Sequence, residues 1–234
     1  MSRLLFITIL SGIWAASTGA TQAQQFEYFS NIMDVTGQAG WDQFSPLDPG
    51  NYAGPHAADV IETGLSNSFV SVTPGGFKAG PDLYAFLSTP TWSITVNTAS
   101  TTEAFTSIAL QVATTPPAVG DDLDNTSFLL NGIAPDEFIA FGPRTTLSAG
   151  GGQPPQDVNY YWASWNGLNA ESSYELNVGP GGNHAVFAAA RVDYVNTSDS
   201  NYQISAVPEP ATGVLLICLG IAATLKRRRQ VTNN

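Results

Sequence analysis

The sequence predicts an all-β domain, an antiparallel β-sandwich of jelly-roll type, with a helical segment at each end of the chain. Three observations predict it. Apolar and polar residues alternate with a period of two in several short runs, the pattern of half-buried strands. Turn formers separate those runs, and the 234 residues include 22 Gly and 15 Pro. Between the ends, no window longer than ten residues keeps a clean 3.6-residue period.

The elements follow in order. Phe26–Ala58 carries few regular signals and is expected to form loops plus an edge strand. Phe69–Thr73 is the first clear strand run. Trp92, Ile94 and Val96 then alternate with Ser93, Thr95 and Asn97. Ile108, Leu110 and Val112 alternate with Ala109, Gln111 and Ala113. Phe128–Leu130, Phe138–Phe141 and Tyr160–Trp165 are further strand candidates. Tyr174, Leu176 and Val178 alternate with Ser173, Glu175 and Asn177. Ala185–Val195 and Tyr202–Ser205 complete the set. Pro74-Gly75-Gly76, Pro116-Pro117, Asn131-Gly132, Gly150–Gly152, Asn166-Gly167 and Gly179–Asn183 read as turns between them. About nine strands in roughly 180 residues suit one sandwich. No repeat at a fixed period supports a propeller or solenoid. The alternating runs are too few and too short for an outer-membrane barrel.

The two ends read differently. Met1–Ala23 has the form of a secretory signal: Arg3, an apolar run over Leu4–Trp14, and small residues in Thr21-Gln22-Ala23 before a cleavage point between Ala23 and Gln24. At the other end, Val207-Pro208-Glu209-Pro210 precedes Ala211–Leu225, an uncharged stretch, and then Lys226-Arg227-Arg228-Arg229. Fifteen helical residues reach about 22 Å, short of a hydrocarbon core of about 30 Å. Pro208 and Pro210 block extension of a helix upstream. The stretch is expected to insert as a short transmembrane helix, with its cations on the cytoplasmic side and residues 24–206 on the other.

Together, these elements resemble the tail of PEP-CTERM sorting domains. The motif at 207–210, the apolar helix at 211–225 and the basic cluster at 226–229 match in order and spacing, and the resemblance is confined to residues 207–234. It implies recognition by an exosortase, an integral-membrane cysteine protease or transpeptidase, with Val207, Pro208, Glu209 and Pro210 as the sorting motif. It also implies export by the Sec route and removal of the signal by a signal peptidase. The chain would be anchored transiently in the inner membrane and then displayed at the cell surface or in the extracellular matrix of an exopolysaccharide-producing bacterium. Exopolysaccharide is then an expected partner.

Charge supports this division. Between Gln24 and Ala206 the cations are Lys78, Arg144 and Arg191, against eighteen carboxylates, a net charge of about −15. Such a surface repels phosphate backbones, which argues against nucleic acid as a partner. Charged residues make up 12% of the whole chain, which argues against a charge-rich disordered protein or a coiled coil. Cys218 stands alone, so an intrachain disulfide and a Cys-based zinc site are both excluded.

Candidate chemistry in the middle of the chain is sparse. His56 and His184 are too few for a zinc site, and no Gly-x-Ser-x-Gly elbow is present. No catalytic residue, metal or cofactor is expected. Asp121-Asp122-Leu123-Asp124-Asn125-Thr126 could offer oxygens to Ca²⁺ from Asp122, Asp124 and Thr126, but the EF-hand order is missing and a solvated loop is the preferred reading. Tyr160–Trp165 is the most aromatic stretch. On a strand, Tyr160 and Trp162 share one face, while Tyr161, Ala163 and Trp165 share the other. One face packs the core; the other is either covered too or shows a platform for sugar rings. Trp162, Trp165 and Trp41 are therefore the candidate glycan contacts. Two functions follow: a non-enzymatic surface or matrix protein processed by an exosortase, or a secreted carbohydrate-binding module or polysaccharide hydrolase.

Overall fold

The computed structural model describes residues 32, 35–73, 77–79, 82–84, 89–117, 120–145, 157–182 and 185–204. The signal segment 1–23, the cleavage point at Ala23 and Gln24, the motif at 207–210, the apolar stretch at 211–225 and the basic cluster at 226–229 lie outside the described residues. So do His184, Gly150–Gly152 and Pro74–Gly76. Among the described residues, no helix is long and apolar enough to cross a membrane.

Thirteen strands are found among the described residues: β1 (Gly37–Trp41), β2 (His56–Ala57), β3 (Ile61–Thr63), β4 (Phe69–Thr73), β5 (Phe77–Ala79), β6 (Asp82–Tyr84), β7 (Thr91–Asn97), β8 (Phe105–Thr114), β9 (Phe128–Leu130), β10 (Glu137–Thr145), β11 (Asp157–Asn169), β12 (Ser173–Val178) and β13 (Val186–Thr197). They form two antiparallel sheets. The larger runs β10-β11-β8-β13-β1-β3, and the β5–β6 hairpin continues it beside β13. The smaller runs β2-β4-β7-β12-β9.

Side chains from both sheets meet in one core. Trp41, Ile108, Leu110, Tyr161, Trp165 and Tyr194 come from the large sheet, and Val70, Trp92, Ile94, Phe128, Tyr174 and Leu176 from the small one. Trp92 stacks on Phe187 across the layers at 4.9 Å. β7 keeps the alternation that its sequence shows, with Trp92, Ile94 and Val96 inward. β8 and β13 do not: nearly every residue of β8 is buried, and eight of the twelve in β13 are, in two runs of four. Both are central strands, and their second face is covered as well as their first.

Several local expectations are corrected. Phe26–Ala58 holds the expected edge strand, β2, at the end of the small sheet, and also β1, which is internal to the large sheet between β13 and β3. Its residues Gln38, Ala39 and Gly40 carry too little apolar contrast to mark a strand in the sequence. Asn166-Gly167 is no turn between strands. It is a bulge inside β11, where the register against β8 shifts between Trp165 and Leu168. Tyr202–Ile204 belongs to no strand but forms an irregular segment. Asn131-Gly132 is a turn as expected. Both residues have positive φ (48° and 82°), and Leu130 and Ile133 exchange backbone hydrogen bonds across them, the geometry that a two-residue hairpin needs.

Candidate functional site

The three tryptophans offered as glycan contacts are all buried. Trp41 closes β1 in the shared core, and its indole Nε1 donates to the His56 carbonyl at 3.0 Å. His56 is buried beside it, its Nε2 3.2 Å from the Tyr52 carbonyl and its ring edge-on to Phe44. Trp165 points inward with Tyr161 and Ala163, and its Nε1 donates to the Ile133 carbonyl at 2.9 Å. Trp162 points outward, yet it is 0% exposed. It packs with Ala109, Val195 and Ile204, with Ile139, Phe141 and Tyr202 at the margin. The faces divide as the alternation predicts, but an indole with no exposed face makes no platform. The physical reason is that β11 lies between β10 and β8. The small sheet closes its inner face, and the chain beyond β13 closes its outer face.

The outer face of the large sheet also holds a polar row. Arg191 donates to Asp193 Oδ1 through Nε (3.0 Å) and Nη2 (2.8 Å). Gln111, opposite Arg191 on β8, approaches Asp193 Oδ2 at 3.4 Å, and Gln38 on β1 donates to the same carboxylate. Asp193 is 0% exposed. Burial pushes its carboxyl pKa up, and Arg191, Gln38 and Gln111 pull it back down. The row is a satisfied buried ion pair with amide support, not a group turned to solvent.

The acidic residues fall into two groups. In the run at 121–126, Leu123 is anchored in the core. Asp124 Oδ1 accepts from the backbone N–H groups of Thr126 (2.9 Å) and Ser127 (3.1 Å), capping a 3-10 turn at Asn125–Ser127. The Thr126 and Ser127 hydroxyls donate to the same oxygen, and these hydrogen bonds hold its pKa below the usual carboxylate range. The second group was not evident in the sequence. Asp59 accepts from the backbone N–H groups of Asp42 and Gln43, both at 2.9 Å. Asp42 is raised by burial and then by the charge and hydrogen bonding of Asp59. Asp82 is raised to about 7, by burial and then by the charge of Asp42. Among the described residues, no group of three or more His, Cys, Asp or Glu is arranged to hold a metal.

The segment after β13 joins the domain to its tail. Asp199 accepts from the Asn201 N–H at 2.9 Å through Oδ1 and from the Tyr202 N–H at 3.2 Å through its carbonyl, which turns the chain back over the sheet. The Ser107 hydroxyl donates to the Tyr202 carbonyl at 3.1 Å. The Ile204 N–H donates to Asn166 Oδ1 at 2.8 Å, and the Ile204 side chain is 3% exposed against Ala109 and Trp162. The bulge of β11 supplies the fit. Gly167 has φ +60°, and a Cβ there would collide with the Ser200 carbonyl. Ile32, ahead of β1, reaches the same cluster. This seat was not evident in the sequence. Its signal was Ala109 and Val195, apolar residues at the outward positions of strands whose other face is already apolar.

The class of molecule is thus a two-sheet β domain whose last described residues are fastened to its own outer face. Immediately beyond them, residues 206–230 match the model of the PEP-CTERM protein-sorting motif. The tail is a sorting signal, and the match supports an exported protein targeted to an exosortase. The comparison with curated proteins gave no match to this chain.

Proposed function

We propose that the chain is an exported surface or matrix protein without catalytic activity of its own, and that its β domain is the cargo of its tail. The observation that carries this is the sorting motif beginning two residues after Ile204, the last buried residue among those described. The domain is read as a sandwich of jelly-roll type that folds from residues 24–206. The apolar stretch at 211–225 holds the chain in the inner membrane with its basic end in the cytoplasm, until an exosortase acts at or near Pro208-Glu209-Pro210. Burial of Trp41, Trp162 and Trp165 removes the contacts on which the carbohydrate-binding alternative rested.

The test replaces Pro208-Glu209-Pro210 with Ala-Ala-Ala in the native host. The apolar stretch and the basic cluster stay intact, so insertion is preserved. The longer, unprocessed form should accumulate in the inner membrane, while wild type appears shortened outside it. Processing of the variant at the wild-type rate would make the tail a plain anchor.

A further inference from the structure

The contacts of Tyr202–Ile204 set how far the sorting motif can stand from the folded domain. Ile204 is buried, its amide is held by Asn166, and the Tyr202 carbonyl is held by Ser107. Six residues, Ser205–Pro210, separate Ile204 from the apolar stretch. Fully extended, seven Cα steps reach about 25 Å at most. A domain of this length is about 40 Å across. Val207 stands three residues from the anchor, within about 10 Å of the domain surface. An enzyme that takes an extended segment into its cleft must pass between this domain and the bilayer. If the chain detaches back to Thr197, the end of β13, the tether gains seven residues and its reach about doubles.

The geometry points to Tyr202–Ile204 as a strap that withholds the sorting motif while it is docked, with Ile204 and Asn166 as the residues that hold it down. This rests on the sorting reading above. Processing breaks one peptide bond near the motif. The acyl carbon passes to the enzyme's thiol and then to water or an acceptor amine, and the tail leaves as an amine that takes the proton. The strap takes no part in that chemistry. It sets the fraction of chains that can enter it, and the rate scales with that fraction. The strap is well placed to open alone. Ser107 and Asn166 hold its backbone to the sheet, and among the described residues it belongs to no strand pairing.

The experiment follows conversion of the long form to the short form by pulse-chase, with the full chain in its native host. Ile204→Ser removes the apolar plug. A second variant inserts eight Gly and Ser residues between Ser205 and Ala206, which lengthens the tether and leaves the docked strap in place. Both should be processed about three- to tenfold faster than wild type. The insertion should do so with an unchanged melting temperature, and Ile204→Val should stay close to the wild-type rate. Unchanged rates in Ile204→Ser and the insertion, with Ala-Ala-Ala still blocking processing, would overturn the strap and leave the sorting reading intact. Acceleration by Ile204→Ser alone would also overturn it, because a loosened domain would then explain the rate. Normal processing of the Ala-Ala-Ala chain would instead remove the sorting reading itself.

Discussion

On one face of β11, Tyr161, Ala163 and Trp165 meet the small sheet; on the other, Tyr160, Trp162 and Ser164 are buried with no second sheet above them among the described residues. The inner face is apolar almost throughout, as expected where two sheets exclude water together. The outer face mixes Trp162 and alanines with an ion pair and amides, and the chain past β13 helps to cover it. A layered core tolerates few polar atoms because every one must find a partner. The outer face has partners to offer, so Arg191 and Asp193 persist there. Both faces hold the strands, but the outer one also fastens the tail.

The largest expected effects test whether the two faces are equally closed. Trp165→Ala should cost about 3–5 kcal/mol by opening a cavity in the shared core. Trp162→Ala should fall in the same range, and it should also speed hydrogen exchange at the Ile204 amide, which Trp165→Ala should spare. Denaturant unfolding with exchange mass spectrometry checks both. A loss at Trp162 of less than about 0.5 kcal/mol, the size of an ordinary surface substitution, would break the comparison.

Next in size is the ion pair. Arg191→Ala leaves Asp193 buried without its cation and should cost about 3–5 kcal/mol. The double variant Arg191→Met with Asp193→Leu should lie within about 1 kcal/mol of wild type, because nothing charged remains to desolvate. Equal losses in the single and double variants would show that the row holds the sheet by its hydrogen bonds rather than by pairing a stranded charge.

A smaller effect concerns Asp82, whose pKa is raised to about 7 by burial and the charge of Asp42. In the unfolded chain it titrates near the ordinary value of about 3.9. The fold therefore favours its protonated form. Its contribution is fully present below the unfolded value and is lost as pH rises through the folded one. Asp82→Asn stays neutral, so it should be more stable than wild type at pH 8, with the gap narrowing as pH falls towards 4. A gap that does not change with pH would show that Asp82 titrates normally. The smallest expected effect is that of Ca²⁺. Asp124 already spends an oxygen on four donors of its own turn. Millimolar Ca²⁺ should shift the melting temperature within error, and a saturable rise would reveal a binding site there.

Much of this was legible in the residues. β4 and β9 run over the stretches expected as strands, and the alternation in β7 and β12 marks their buried residues. Each has one wet and one dry face, and period two reports that contrast directly. β1, β3 and β6 were missed because they are short and are held by neighbours far along the chain, not by their own pattern. The bulge at Asn166-Gly167 looked like a turn because the residues that suit left-handed backbone are the same in both settings.

The sequence alone determined the antiparallel β class, the two faces of β11 and the sorting tail. Periodicity is a local record of solvent contrast, and a sorting motif is read by its enzyme as linear chain. Only the tertiary structure decided that Trp162 is covered, that Asp193 has its partners and that Ile204 is seated on Asn166. Each of these joins residues many positions apart. Whether an outward side chain meets water or another segment depends on where the rest of the chain returns, which no local pattern records.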